Sequence, residues 1–352
     1  MNLITYGWNQ HLKDLPLNLM SDQSVGRIIS EYKGQYKLIT ERGEYLAEVA
    51  GKMRHQAETR QDFPAVGDWV VVRERHSEHK ATIDRILPRF SKFSRKTAGS
   101  ATTEQIVAAN IDTVFLVMAL NHDFNLRRLE RYLTMAWESG ANPVILLSKA
   151  DLCDDLQDKR TAVDSIAFGV PVLTVSALND EGKEQLAPYL GTGKTGVFLG
   201  SSGAGKSTLT NWLCGRQIQT VNAVRTDDDR GRHTTTNREL IVLPGGGVII
   251  DTPGMRELQL WAASDSSLDH SFSDVEALAA NCRFGDCTHQ SEPGCAVQKA
   301  LKDGRLSAER YRSYLKLQRE LAFVRRKTDP QARLIEKAHW KKIHVQMRRR
   351  PK

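Results

Sequence analysis

The segment Gly200-Ser201-Ser202-Gly203-Ala204-Gly205-Lys206-Ser207 constrains this chain more than any other, because it matches G-x-x-x-x-G-K-[ST]. The apolar run Val197-Phe198-Leu199 precedes it and Thr208–Leu213 follows, so the order is strand, glycine-rich loop, helix. Glycines let the backbone curl until successive N–H groups face one anion. The helix N-terminus adds a favourable partial positive charge. Residues Gly200–Thr208 therefore form a candidate phosphate cradle. Lys206 is expected to reach the β- and γ-phosphates, which also makes it a catalytic candidate, and the Ser207 hydroxyl to ligate Mg²⁺.

Two downstream elements complete such a site. Asp251-Thr252-Pro253-Gly254 ends the apolar run Val248-Ile249-Ile250. An acid there can hold Mg²⁺ through water, and the Gly254 N–H can meet the γ-phosphate. Between lies Gly231-Arg232-His233-Thr234-Thr235-Thr236, a polar interval suited to a switch that closes over metal and phosphate. Thr234 and Thr235 are candidates for the nucleotide, and Thr235, with Ser207, for magnesium. Spacing alone does not choose among the three threonines, and the same residues suit a plain mobile loop.

The base-reading element lies upstream. Leu146-Leu147-Ser148-Lys149-Ala150-Asp151 has the form of [NT]-K-x-D at the end of a strand, with Ser148 in place of the usual Asn. A carboxylate at Asp151 can accept from both N1–H and the 2-amino group of guanine, a donor pair that adenine lacks. The Lys149 stem can cover the base. Ser148 removes an amide from the loop-bracing and base contacts. Val175-Ser176-Ala177 ends a later strand, where a backbone N–H at Ser176-Ala177 can meet the guanine O6. The order is thus base recognition, phosphate loop, switch, Asp-Thr-Pro-Gly, a circular permutation of the standard GTPase order. A compact domain with neighbouring termini can be cut and rejoined without moving its site. A GTP-gated binding protein, with hydrolysis as a timer, and an unrelated P-loop ATPase are the alternative readings.

Continuous apolar runs at Val114–Leu120, Val144–Leu147, Val172–Val175, Gly196–Leu199 and Val248–Ile250 predict buried strands of a largely parallel sheet. Asn125 is placed to cap a helix whose stripe is Leu126, Leu129, Leu133 and Ala136. Upstream, five short strands between Val25 and Leu87 predict a small barrel, OB-like, with an SH3-like barrel as the alternative. Pro88–Lys96 interleaves basic and aromatic residues, a pattern suited either to single-stranded nucleic acid or to a linker.

The five cysteines are odd in number, and the start lacks the pattern of a secretion signal, which argues against a disulfide framework. The expected compartment is the cytoplasm, with no membrane span. Cys282, Cys287, His289 and Cys295 form a C-x4-C-x-H-x5-C set, complete for a closed structural zinc site with one ion per chain. A helix is expected over Ser307–Val324, with Tyr314, Leu317, Leu321 and Val324 on its core face. The net charge of +8 resides in the tail, where Arg325–Lys352 holds 11 Lys/Arg against 2 acids. That tail suits a polyanion such as RNA, or a solvated helical end. The expected division is 1–24 extension, 25–96 barrel, 97–262 permuted GTPase domain, 263–324 zinc module and 325–352 basic tail.

Taken jointly, the barrel, the order Ser148–Asp151, Gly200–Thr208, Gly231–Thr236, Asp251–Gly254, and the Cys282/Cys287/His289/Cys295 set resemble the ribosome small-subunit-dependent GTPase A (RsgA/YjeQ) family over nearly the whole chain. The resemblance implies an α/β GTPase acting late in assembly of the small ribosomal subunit, stimulated by that subunit. It also implies contacts with ribosomal RNA through the barrel and zinc module. GTP and GDP are the expected ligands and a monomer the expected state. In many GTPases a Gln after D-x-x-G orients the attacking water, but here Met255 follows Gly254. A thioether accepts only weak hydrogen bonds and donates none. His233 is the nearest candidate for that role in sequence, and the resemblance points to the same residue.

Overall fold

The computed structural model describes residues 2–32, 34–96, 104–218, 238–251 and 265–328. Two compact units are found, Met1–Arg95 with Thr103–Leu258, and Lys96–Thr102 with Gln259–Lys352.

In the first unit, a 3-10 turn (Leu3–Tyr6) and α1 (Gln10–Lys13) lead into β1 (Gln23–Tyr32). β2 (Gln35–Thr40), β3 (Gly43–Val49), α2 (Gly51–Gln56), β4 (Trp69–Arg75) and β5 (Lys80–Ile86) follow. β1 pairs with β2 and β4, β2 with β3, β4 with β5, and β3 runs parallel to β5. The five strands thus close in the order β1-β2-β3-β5-β4. This parallel closure, with a helix between β3 and β4, decides for the OB-like barrel over the SH3-like alternative. Alternation does the filling: Tyr45, Ala47 and Val49 of β3 point inward with Ile28, Leu38, Val70, Val72 and Ile83.

β1 is longer than the barrel needs. Gln23–Arg27 pair with β4, whereas Ser30 and Glu31 pair with a strand of the neighbouring domain. A register shift between Ile28 and Ser30 marks the change of partner, as a bulge that bends a strand does.

Beyond the barrel, β6 (Lys92–Lys96) and β7 (Glu104–Ala109) form a two-stranded sheet. The basic-aromatic segment is therefore part strand. Phe93 is buried and Arg89 is ion-paired with the buried Asp68 at 2.7 Å, so neither is offered to a nucleic-acid strand. β8 (Thr113–Ala119), α3 (Leu126–Ser139), β9 (Asn142–Ser148), α4 (Leu156–Asp164), β10 (Val172–Thr174), β11 (Thr195–Leu199), α5 (Lys206–Cys214), β12 (Arg238–Val242) and β13 (Val248–Asp251) complete the unit. The strands β10-β9-β8-β11-β13 are parallel, β12 is antiparallel to β13, and β12 joins β1. One sheet of eleven described strands thereby runs from the GTPase domain into the barrel. All seven residues of β8 are buried, as expected of a central strand covered on both faces. The Asn125 side chain caps α3 by accepting from the Arg128 N–H at 3.0 Å.

Arg27 fastens these parts together. Its guanidinium is 1% exposed and donates to Gly67 O at 3.2 Å, Asn110 O at 3.0 Å, Thr195 Oγ1 at 2.9 Å, and also Tyr6 O. Trp69 lies 5.3 Å below it. Burial pushes its pKa down to about 10, so it stays charged at neutral pH. Gly67, at φ +93°, is required beside it, because a Cβ there would meet Ala109 O at 2.2 Å.

In the second unit, α6 (Asp265–Ser271), α7 (Ser273–Ala279), α8 (Ala296–Lys302) and α9 (Ala308–Thr328) enclose Leu268, Phe272, Val275, Val297, Leu317 and Leu321. Tyr314, Leu317 and Leu321 of the expected helical stripe are buried. Arg310 stacks on Phe272 at 4.2 Å and bridges to Asp274 at 2.8 Å. Among the described residues, no helix is long and apolar enough to cross a membrane.

Replacing Arg27 by Met keeps the stem but leaves its acceptors unmet. The expected loss is on the order of 3 kcal/mol in urea unfolding of the full chain, with a lowered midpoint.

Candidate nucleotide site and metal centre

The glycine-rich loop is held at both ends. β11 delivers the chain to Gly200, which packs so closely on β8 that a Cβ would meet Val117 O at 2.5 Å. Gly203 and Gly205 adopt φ of +77° and +94°, and Lys206 opens α5. The Lys206 ammonium donates to Gly200 O at 2.7 Å and Ser201 O at 2.6 Å. These bonds fix its stem along the loop. Ser202, Ser207 and Thr208 follow the same turn, and Ala204 is fully buried.

The candidate base-reading element meets this loop directly. Ser148, 3% exposed at the end of β9, donates from Oγ to Ala204 O at 2.7 Å. The loss of an amide anticipated from the sequence therefore does not cost the bracing contact, since the hydroxyl reaches the loop itself. Lys149 takes a left-handed conformation at φ 60°, turning the chain into Ala150-Asp151. Ala150 N donates to Val175 O at 3.2 Å, tying this turn to the end of β10. The buried Ser176 hydroxyl donates to Asp151 Oδ1 at 2.5 Å. Ser176 also accepts from the Asn179 N–H at 3.2 Å, and Ala177 packs against the domain core. Asp151 is thus aimed by a group from the turn that follows β10. At the far side, Asp251 closes β13 opposite Glu239 of β12. His233, Thr234, Thr235, Gly254 and Met255 lie outside the described residues, as does the tail from residue 329.

Sequence reading missed Asp123. It sits in the loop between β8 and α3, where it accepts from the Ser201 hydroxyl and pairs with Arg128 at 2.6 Å. No local pattern marks it. Its one signal is position, two residues before a capped helix that follows a buried strand.

The second unit holds a candidate metal centre. The ligand atoms of Cys282, Cys287, His289 and Cys295 all lie within 4.8 Å of one another. Cys282 and Cys295 sulfurs are 3.9 Å apart, and His289 Nδ1 lies 3.5 and 3.6 Å from them. A tetrahedral ion with metal–sulfur bonds of about 2.3 Å and metal–nitrogen bonds of about 2.0 Å sets edges of roughly 3.8 and 3.5 Å. The three edges among Cys282, His289 and Cys295 fit, and with Cys287 within 4.8 Å the cluster can hold one metal ion. The N–H groups of Ala296 and Gln298, at the start of α8, point at the Cys282 and Cys295 sulfurs at 3.4 Å, favouring thiolates. Gln298 and Tyr311 hold the His289 carbonyl at 2.6 and 3.0 Å. Glu292 braces the loop by accepting from the Thr288 hydroxyl and the N–H groups of Thr288, Gln290 and Ser291. The Thr288 hydroxyl, followed by backbone N–H donors, holds its carboxyl down at about 2.

Fold and site together define a P-loop nucleotide-binding domain whose base-reading element precedes its phosphate loop. The sequence profile of the RsgA GTPase family matches residues 86–261. The small ribosomal subunit biogenesis GTPase RsgA 1 of Oceanobacillus iheyensis is 51% identical, over 92% of this chain and 93% of its own. The RsgA protein of Opitutus terrae is 46% identical, over 99% of this chain and 98% of its own. The crystal structure of YjeQ from Thermotoga maritima superposes with a TM-score of 0.64 at 28% identity, covering 85% of this chain and 98% of that one. YloQ, described as a circularly permuted GTPase, gives 0.61 at 24% identity over 87% and 98%, a likeness of fold. The chain belongs to the RsgA GTPase family and is a GTPase.

Four outcomes follow from this geometry. Ser148→Ala leaves Ala204 O without its partner and is expected to weaken GDP binding by about 1–3 kcal/mol, read by titration with a fluorescent nucleotide. Cys295→Ser is expected to abolish the metal found by elemental analysis. Glu292→Gln keeps the metal but releases it faster to a chelator at neutral pH. Because the Glu292 carboxyl is depressed, its bracing is present above its unfolded value near 4.5 and is lost only as pH falls through about 2. Metal loss on acidification to pH 4 is therefore expected to follow thiolate protonation, with the same midpoint in Glu292→Gln.

Proposed function

We propose that this GTPase acts in late maturation of the small ribosomal subunit and that the subunit stimulates its turnover. The names of the relatives from O. iheyensis and O. terrae support the assembly role. The observation that carries the nucleotide reading is the 2.7 Å bond from Ser148 to Ala204, which joins a base-reading turn to a phosphate loop.

In this reading the N–H groups of Gly200–Thr208 and the Lys206 ammonium take the phosphates. Ser207 and Thr235, with Asp251 through water, would hold Mg²⁺, which would supply charge neutralisation at the phosphates. Asp151, aimed by Ser176, accepts from the guanine N1–H and 2-amino group. Lys149 covers the ring and the Ala177 N–H meets O6. Thr234 and the Gly254 N–H face the γ-phosphate. With Met255 unable to orient water, His233 does so. Cys282, Cys287, His289 and Cys295 would hold zinc, whose role there would be structural, since four protein ligands would leave no open position. The barrel, the zinc module and the basic tail carry ribosomal RNA contacts. The protein works as a cytoplasmic monomer, divided at 1–24, 25–96, 97–262, 263–324 and 325–352.

GTP turnover with and without purified small subunits tests this proposal. Stimulation of at least about tenfold is expected, abolished in His233→Ala, while Asp151→Asn loses preference for GTP over ATP. Equal turnover with and without subunits would refute the proposal, and undiminished stimulation of His233→Ala would remove that residue's role.

A further inference from the structure

The continuity of the sheet gives the barrel a direct hold on the phosphate side of the nucleotide site. In the ladder, Lys37 of β2 lies opposite Ser30 of β1, Ser30 opposite Glu239 of β12, and Glu239 opposite Asp251 of β13. One cross-strand row therefore connects a barrel lysine with the acid that closes β13. The barrel-to-domain step in this row rests on few residues, since among the described residues only Ser30 and Glu31 pair with β12.

That step is reinforced by an ion-pair clamp. Glu31 Oε2 accepts from Arg238 Nη1 at 3.0 Å, while its Oε1 accepts from Arg60 Nη2 at 3.2 Å. Arg60 belongs to the barrel, so the barrel positions its own glutamate and presents the second oxygen to β12. Glu31 and Arg238 side chains are 14% and 11% exposed, shielded enough for charge to count for more than on an open surface. The Ser30 hydroxyl adds a bond to Arg238 O at 3.1 Å. Hydrogen-bonded strands transmit displacement poorly along soft loops but well across a ladder, where a shift of one strand is a shift of its neighbour's donors.

We propose that Glu31 and Arg238 are positioning residues for GTP hydrolysis: they lock β12 to the barrel and so fix Asp251 through the Ser30–Glu239–Asp251 row. The barrel is then a built-in regulator, and a ligand on it changes hydrolysis by moving this row. The inference rests on the reading of Asp251 as the magnesium-side acid, but it does not require that the subunit be the stimulating partner. For binding free energies coupling is reciprocal, so a nucleotide state that shifts Asp251 is expected to be felt in β1.

The test uses the full-length protein alone. Hydrogen exchange of the amides of Ile28–Tyr32 is measured with Mg²⁺ and either GDP or a non-hydrolysable GTP analogue, alongside kcat and KM for GTP. In the wild type, exchange is expected to differ at least about fivefold between the two states. In Glu31→Gln the difference falls below about twofold and kcat drops about fivefold at unchanged KM, while Glu31→Asp recovers most of both. Asp251→Asn is expected to remove the exchange difference as well. Equal exchange in the two nucleotide states of the wild type would overturn the inference. So would a Glu31→Gln protein with normal kcat whose exchange is faster by the same factor in both states, the mark of a merely structural pair. Survival of the difference in Asp251→Asn would also overturn it. Absence of stimulation by subunits, by contrast, would strike only the proposal of the preceding section.

Discussion

A single buried cation organises the first unit. Arg27 belongs to a barrel strand, yet its acceptors come from the N-terminal turn, the β4 approach, the turn before β8 and the start of β11. A guanidinium suits this because its donors fan out in one plane and can serve several carbonyls at once. None of its hydrogen-bond acceptors is a carboxylate. Its charge is instead balanced at longer range by Asp112 and Asp68, and its removal would leave polar atoms stranded in a dry interior. The apolar surroundings, with Trp69 beneath it, make those bonds strong and their loss expensive. Barrel and GTPase domain are consequently one compact unit and not two beads on a linker.

The same economy of polar contacts shapes the phosphate loop. A loop that must keep its own N–H groups free for a ligand cannot brace itself with them. Side chains from neighbouring strands do the bracing: Ser148 holds Ala204 from β9, and Asp123 holds Ser201 from the end of β8. Arg128 compensates the charge that Asp123 brings close to a phosphate site. Lys206 completes the arrangement by gripping the loop carbonyls. The phosphate loop is therefore braced by side chains outside it, and such bracing lowers the ordering cost of binding.

The second unit solves a different problem. Its helices α6, α7 and α8 have seven residues each, and the loop Cys282–Cys295 has little apolar content to bury. Four converging ligand atoms, backed by the α8 N-terminus and the Glu292 brace, can hold one metal ion there, and a small unit with little core gains most from such a cross-link.

Much of this was legible in the chain itself. Local patterns carry the phosphate loop, the Cys3His set, the Asn125 cap and the buried strands, because each depends on residues close in sequence: φ-permissive glycines, ligand spacing, a capping side chain, an unbroken apolar run. The closure β1-β2-β3-β5-β4, the hydroxyl of Ser148 standing in for an amide, the role of Asp123, and the edge shared by β4 and β12 along β1 were not legible. Each depends on which distant segments meet, and the sequence of β12, Arg238-Glu-Leu-Ile-Val242, is too short and too polar at its start to declare a partner. Chemistry that is local in the chain was determined by the sequence. Only the tertiary structure decided how those pieces are braced and coupled, because hydrogen bonds such as those of Arg27 join groups up to 168 residues apart and exist only once the chain has closed on itself.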